Sequence, residues 1–461
     1  MWWPVPAEAA LAGVWLGAGG AADALDRVEL TGSPLLLPSP FLVTPAATAT
    51  IAAATLAVAE LAGVPGPVRL DTVHASAAVR CERYVSIVGV APPAMWDAVA
   101  GDYRAADGWI RLHTNYAQHR DPALAVLGAP PEREAVAAAV RTWKADELEA
   151  AVVGAGGCAA ALRSHDEWLE HEHGRHVGDR PLVAVERLGD APPSGVGASG
   201  DAPLSGLRVL DLTRVFAGPV ATRFLAGWGA DVLRVEAPAF DELELLFIEV
   251  GFGKRSCALD LRRDEHRAAF EALVAAADVV VHGYRPGALR GLGYGPDALA
   301  ALRPGLVVAG LSAYGATGPW AERRGFDSLV QMSTGIAAEG AAVAGADQPV
   351  PLPCQLLDHA TGYLVAMGAL RALQRETTEG GSWNVTLSLA RTAKWLDGLG
   401  RDEEAFARPP PDLADADQWC LTSPTAWGDV RHLGPPGSIG PLRPAWRRPP
   451  SRPGTDPPEW R

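Results

Sequence analysis

From Leu207 to Leu387 the chain repeats one pattern: a short apolar run, then a stretch of helical periodicity, then another apolar run. The runs are Leu207 to Leu212, Asp231 to Glu236, Asp278 to His282, Leu306 to Leu311 and Ser382 to Leu387. Between them, helices are expected up to Ala230, from about Arg263 to Ala277, near Pro296 to Leu302, and from about His359 to Arg375, where Gly380 and Gly381 end the last one. Strands separated by helices of this length predict a parallel sheet with both faces covered, because each parallel neighbour needs a crossover that packs back on the sheet. Ligands of such sheets bind at the carboxyl ends of the strands.

The segment from Pro192 to Pro203 has the Pro, Gly and Ser content of a flexible linker and divides the chain. Residues 204–400 carry the alternating pattern. Residues 101–191 read as a smaller α+β unit, with a turn and strand from Asp107 to Leu112 and a mostly helical stretch from Pro131 to Val153. Residues 1–100 echo the second half of the large unit. With Ala52 laid on Ala366 and Leu56 on Leu370, both segments read as an Ala-rich helix, a glycine break and a short strand, and Thr44 falls where Asp358 stands. Two unrelated Ala-rich helices would give nearly the same identity. Residues 401–461 form a tail that is rich in Pro and Arg from about Pro435, expected to wrap in extended form over another surface or to lie loose.

A net charge of −14 opposes a non-specific grip on nucleic acid or anionic lipid and leaves room only for a local basic pocket for a phosphorylated ligand. Cys81, Cys158, Cys257, Cys354 and Cys420 are far apart and lack metal-binding spacing, which fits a reducing compartment and no structural metal. The start, Met1 to Pro4, has no basic stretch of an export signal, so a cytoplasmic protein is expected. The low-charge run from Leu42 to Gly63 contains Pro45, Glu60 and the threonines Thr44, Thr48, Thr50 and Thr55, and is expected as a buried helix rather than a membrane span.

Three loops carry candidate chemistry. Arg214 to Pro219 opens the first helix after a strand with small residues, which lets a ligand approach backbone amides at a helix N-terminus and favours phosphate. It lacks the Gly-x-Gly-x-x-Gly fingerprint, so NAD or FAD is not expected. Gly253 to Ser256 and Gly283 to Gly287 each place cationic side chains near strand ends. Asp358 precedes a small-residue helix, where an aspartate commonly serves as an N-cap.

Taken in order, Leu204 to Leu212, Ala217-Gly-Pro219, Gly229 to Glu236, Gly253-Lys-Arg-Ser256, Ala277-Asp-Val279, Arg285-Pro-Gly287 and Tyr314 to Pro319 resemble the class III coenzyme A transferases, the CaiB/BaiF family, over about Leu204 to Leu396. The resemblance implies an α/β fold, with a Rossmann-like parallel-sheet large domain and a smaller α+β domain, normally in an interlocked homodimer. It implies coenzyme A as acyl-CoA substrate, a small carboxylic acid as partner, and transfer through an aspartyl anhydride and thioester. The family's Asp-x-x-x-Gly motif matches Asp358 to Gly362, which makes Asp358 the catalytic candidate. Carried over residue by residue, Phe216, Ala217, Lys254, Arg255, Tyr284 and Arg285 are the coenzyme A-binding candidates.

The chain departs from the family in three places. Too little sequence follows Leu396 for the small domain of relatives, and the segment from about Gly101 to Asp190 resembles that domain moved in front, so a permuted or partly duplicated order is expected. The acidic loop after the second strand is reduced to Asp241. The racemases of the family use a histidine in Gly-His-Asp, whereas Gly325-Phe326-Asp327 stands here, and phenylalanine exchanges no proton. His359 is read as a flanking residue that points elsewhere. An acyl-CoA racemase and a non-catalytic acyl-CoA-binding relative are the alternatives.

Overall fold

The computed structural model describes residues 6–195, 201–238 and 242–461. The first residues of the chain, the centre of the linker and Asp241 lie outside them. The expected parallel sheet is present with seven strands, in the order Lys254–Ala258, Asp231–Glu236, Arg208–Leu212, Val279–His282, Val307–Ser312, Ser382–Ser388 and Ala184–Gly189. All neighbours are parallel except the last pair. The strands are near-continuous apolar runs because helices cover both faces. Val209, Val281 and Val307 turn to one side, where the helices Ala217–Gly227 and Leu356–Glu379 pack. Leu210, Val280 and Val308 turn to the other, against Phe270, Leu273 and Leu299 of the helices Asp264–Ala275 and Pro296–Leu302.

The Leu356–Glu379 helix is enclosed over most of its length, with Leu364, Val365, Ala366 and Met367 fully buried. Two glycines let it sit this close. A Cβ on Gly362 would lie 2.4 Å from the carbonyl oxygen of Ala217, and one on Gly368 would lie 2.7 Å from Val385 Cγ1. Its other flank is covered by the Val43–Leu61 helix, which is buried from Val43 to Ala59 as expected and is long and apolar enough to cross a membrane by composition alone. That helix lies between the strands Val28–Thr31 and Val68–Asp71, which pair in parallel. Ala52, Leu56 and Val58 join Val365, Leu370 and Val209 in one apolar cluster, so residues 1–100 and 204–400 share a core.

The α+β unit expected over 101–191 closes earlier. Its antiparallel sheet, Gly101–Arg104, Trp109–Leu112 and Ala159–Ala161, packs Ile110 and Leu112 on Val136, Val140, Leu148 and Val152 of its own helices. Beyond it, Trp168 packs with Ala217, Tyr314 and Leu357, and Ala184–Gly189 adds an antiparallel edge to the large sheet. Val185 lies opposite Val385 in that pairing, so a half-exposed strand at the end of one unit completes the sheet of the next.

The tail beyond residue 401 crosses the molecule. A hairpin, Cys420–Thr425 and Gly428–Leu433, pairs with Ser86–Ile87, and Ser438–Ile439 pairs with Val68–Asp71. Further on, Arg255 donates to the Glu459 carbonyl at 2.6 Å, Ser256 N–H donates to Asp456 at 2.9 Å, and Cys257 bridges Thr455, so the tail covers the outer edge of the Lys254–Ala258 strand.

A fragment beginning at Leu204 loses both the Val43–Leu61 helix and the Ala184–Gly189 strand. We expect it to bind a hydrophobic dye and to aggregate in size-exclusion chromatography, and adding residues 1–203 as a separate chain to restore a soluble complex. A soluble, monomeric fragment with native circular dichroism would show that the shared core is dispensable.

Candidate active site

The turn between the Arg208–Leu212 strand and the Ala217–Gly227 helix is built on a buried ion pair. Asp211 accepts from Thr213 N–H at 2.9 Å, Thr222 Oγ1 at 2.6 Å and Lys254 Nζ at 2.9 Å, and Lys254 also donates to the Pro219 carbonyl at 2.9 Å. Burial alone would raise the Asp211 carboxyl, but Lys254 and then Arg234 overcome it and hold the group below its ordinary value. Burial lowers Lys254 to about 8, opposed by Asp211. This truss supports Val215 at φ 63°, a conformation that a β-branched residue adopts only when its surroundings force it. Gly218 is required beside it, because a Cβ there would lie 2.3 Å from Thr213.

Val215 and Phe216 form one wall of a cavity of about 310 Å³. Asp327 and Asp358 lie at another wall, and Met95, Trp96, His113 and Tyr116 come from the first half of the chain. Asp358 is not an N-cap: Gln355 holds that position, and Asp358 is the third residue of the Leu356–Glu379 helix, in its first turn. The capping carboxylate comes from outside. Asp327 Oδ2 accepts from Asp358 N–H at 3.1 Å, and its Oδ1 accepts from Gln331 Nε2 at 2.5 Å. Gln331 Oε1 accepts in turn from Leu352 N–H at 2.7 Å, which fixes the approach to the helix. Burial first, then the neighbouring Asp327, pushes the Asp358 carboxyl well above the carboxylate range, and burial raises Asp327 to about 6. Two carboxyls in one apolar site cannot both ionise readily, which is the arrangement of a tuned reactive group.

The other candidates divide. Phe216 lines the cavity, and Ala217 is buried at the first turn of its helix. Tyr284 is half-buried and lies within electrostatic reach of Arg214 and Glu236, along the carboxyl ends of the strands. Arg285 is exposed and donates to the Glu322 carbonyl at 3.3 Å. Lys254 and Arg255 correct the sequence reading of them as a cationic landing site. They belong to a strand rather than a loop, and their charges are taken by Asp211 and, at 2.9 Å, by Asp231. A buried cation held by a carboxylate serves the fold and presents no free charge to a phosphate. Arg324 donates to the Gly156 carbonyl at 2.9 Å and, with Arg323 and Arg285, lies within electrostatic reach of Cys158.

Sequence reasoning missed Trp96, His113, Tyr116 and Asp327 as site residues. Asp327 stands in Gly325-Phe326-Asp327, where the phenylalanine is the residue that departs from the racemase motif. Phe326 stacks on His113 with ring centroids 3.6 Å apart, so an imidazole from the small unit lies against the side chain that replaces the racemase histidine. Burial lowers His113 to about 3 and keeps it neutral. His359 does point away from the cavity, as expected, with its Nε2 3.9 Å from Glu82. Cys81, Glu82 and His359 offer ligand atoms within 4.8 Å of one another, but Arg223 donates to the Cys81 thiol at 3.4 Å and sets a positive charge beside the group. Thr44, laid on Asp358 in the sequence, uses its hydroxyl to accept from Leu36 N–H at 3.1 Å and Leu37 N–H at 3.0 Å.

The model of CoA-transferase family III matches residues 204–399, the span that contains Asp211, Asp327 and Asp358. Over that span, less than half of the chain, the sequence is similar to CoA-transferase family III. Among curated proteins it is 36% identical over 224 residues to the probable fatty acyl-CoA transferase Rv3272 of Mycobacterium tuberculosis, covering 45% of this chain and 56% of that one. It is 30% identical over 317 residues to the acetyl-coenzyme A transferase nodX of Hypoxylon pulicicidum, covering 64% of this chain and 53% of that one. It is 29% identical over 217 residues to a formyl-CoA:oxalate CoA-transferase of Rhodopseudomonas palustris, covering 44% and 50%. The chain thus spans about half the length of the curated relatives it matches. The crystal structure of Rv3272 covers 45% of this chain and 57% of that one at 34% identity, with a TM-score of 0.39.

The raised Asp358 carboxyl has a consequence for stability. A carboxyl that binds its proton more tightly when folded stabilises the protein below its unfolded pKa and loses that contribution as pH rises through the folded value. Asp358→Asn, which keeps the shape and removes the charge, should therefore melt more than about 2 °C above the parent at pH 8. The gain should shrink towards pH 4, and equal melting temperatures at both pH values would contradict the burial of this charge.

Proposed function

We propose that this protein transfers coenzyme A between an acyl-CoA donor and a carboxylic acid, with Asp358 as the nucleophile. The observation that carries the reading is the position of Asp358: a buried carboxyl in the first turn of a helix, in an apolar cavity at the ligand-binding end of a parallel sheet, within the span similar to family III. The Asp358 carboxylate attacks the donor thioester carbonyl, the C–S bond breaks, and coenzyme A leaves as thiolate from a mixed anhydride. The thiolate then attacks the aspartyl carbonyl, releasing the donor acid and leaving an aspartyl thioester. The acceptor carboxylate displaces the thiolate from that thioester, and the thiolate takes the acceptor acyl group from the second anhydride, which returns Asp358 as a carboxylate. Each step exchanges one activated acyl bond for another, so no step is steeply uphill. The amides at the start of the Leu356–Glu379 helix favour the anionic intermediates. Arg285 and Arg324 supply charge for the coenzyme A phosphates, with Tyr284, Phe216 and Ala217 nearer the strand ends.

One observation favours a second reading, removal and return of the proton beside the thioester carbonyl: neutral His113 lines the same cavity as Asp358. Incubation of an α-methylacyl-CoA in D₂O separates the two, since racemisation washes deuterium into the α-carbon and transfer does not.

Asp358→Ala should abolish exchange while donor binding stays within about threefold of the parent. Hydroxylamine added to the parent protein with an acyl-CoA donor should mark Asp358 in peptide mapping, and full exchange by the alanine variant would overturn the mechanism. Arg285→Ala should raise the donor KM about tenfold with little change in kcat, because a phosphate contact acts equally in ground and transition states. An unchanged KM in both Arg285→Ala and Arg324→Ala would remove these residues from the coenzyme A site.

A further inference from the structure

The cavity beside Asp358 carries a second message in its charge. Its apolar wall is formed by Met95, Trp96, Leu243, Leu246 and Phe326. Four carboxyl groups also line it, Glu242, Glu244, Asp327 and Asp358, and no Lys or Arg does among the described residues. Behind the wall, Arg214 lies within electrostatic reach of Tyr116 and Glu236, and two further arginines are paired. Arg111 lies over the Trp96 ring and pairs with Asp102 at 2.8 Å. Arg234 pairs with Glu236 at 2.8 Å and Glu242 at 2.6 Å. Glu242 keeps its second oxygen buried with no hydrogen-bond partner, and Arg234 behind it does the same with its Nη1.

We infer that the acyl group handled by this site is an uncharged apolar one, a medium-chain aliphatic or aromatic monocarboxylic acyl group, and that dicarboxylic acyl groups are excluded. The inference rests on the coenzyme A transfer reading and names its substrate class. An acyl group bearing a second carboxylate would place that charge in a partly desolvated space beside Asp327 and Glu242, with no Lys or Arg among the described lining residues to pair with it, a cost that apolar contact does not offset. An apolar tail gains instead from every methylene placed against Trp96 and Phe326, about fourfold in affinity for each one buried. The selectivity wall is composite: Met95 and Trp96 come from the first half of the chain and Leu243, Leu246 and Phe326 from the second.

The full chain is assayed with hexanoyl-CoA, phenylacetyl-CoA and succinyl-CoA as donors, with matched acids as acceptors, and binding of each thioester is measured separately by calorimetry using Asp358→Ala. We expect kcat/KM for hexanoyl-CoA or phenylacetyl-CoA to exceed that for succinyl-CoA by at least about a hundredfold, with the same order in binding. Leu243→Arg, which brings a cation to the wall, should cut that ratio at least about tenfold. Equal or better use and binding of succinyl-CoA by the parent would overturn the inference, as would a Leu243→Arg variant that binds both thioesters with an unchanged ratio. No exchange with any donor, together with preferential binding of the apolar thioesters, would sustain the pocket chemistry and remove the transfer reading instead.

Discussion

The close packing of one enclosed helix governs this molecule. The Leu356–Glu379 helix touches the sheet on one flank and the Val43–Leu61 helix on another, and Gly362 and Gly368 admit neighbours to distances that no other residue permits. Asp358 inherits its environment from that packing. A carboxyl in the first turn of an exposed helix would be an ordinary solvated acid; in this one it loses water, meets Asp327 and becomes difficult to ionise. The shifted carboxyl is a by-product of how tightly an Ala- and Gly-rich surface can be covered. The cover of that helix comes from residues remote in sequence, the Val43–Leu61 helix among them.

The same economy holds for the loop facing it. Asp211 and Lys254 bury opposite charges completely, an arrangement that is costly unless every donor and acceptor is satisfied. Thr213, Thr222 and the Pro219 carbonyl satisfy them, and the strained Val215 backbone is the product. The rigid wall this creates and the rigid helix opposite fix the distance across the cavity, while the aromatic wall is supplied by an independent antiparallel unit with its own core. The aspartate-bearing wall and the aromatic wall are therefore held by separate packing arrangements, and one can change without the other.

Much of this was written in the sequence, and the reason lies in range. The strands Asp231–Glu236 and Ser382–Ser388 and the helix Pro296–Leu302 were readable because their patterning is local. Lys254 and Arg255 misled because cationic side chains after a glycine look like a loop, and only the tertiary fold reveals the carboxylates beneath them. Asp358 was legible through its motif, yet its place inside the helix was off by a turn because Asp327, far away along the chain, does the capping. Trp96 and His113 had no local signature at all. Their roles exist only after the small unit docks, and the final strand of the segment that carries them belongs to another sheet.

The stitching of the tail onto the Lys254–Ala258 strand closes contacts between residues 200 positions apart. Ring closures of that length come late, since the entropy of a long loop is lost before its contacts form. Until then the sheet has an open margin whose backbone donors and acceptors match those of any other extended chain. An uncovered strand margin of that kind invites pairing with another chain, and the docked tail removes it.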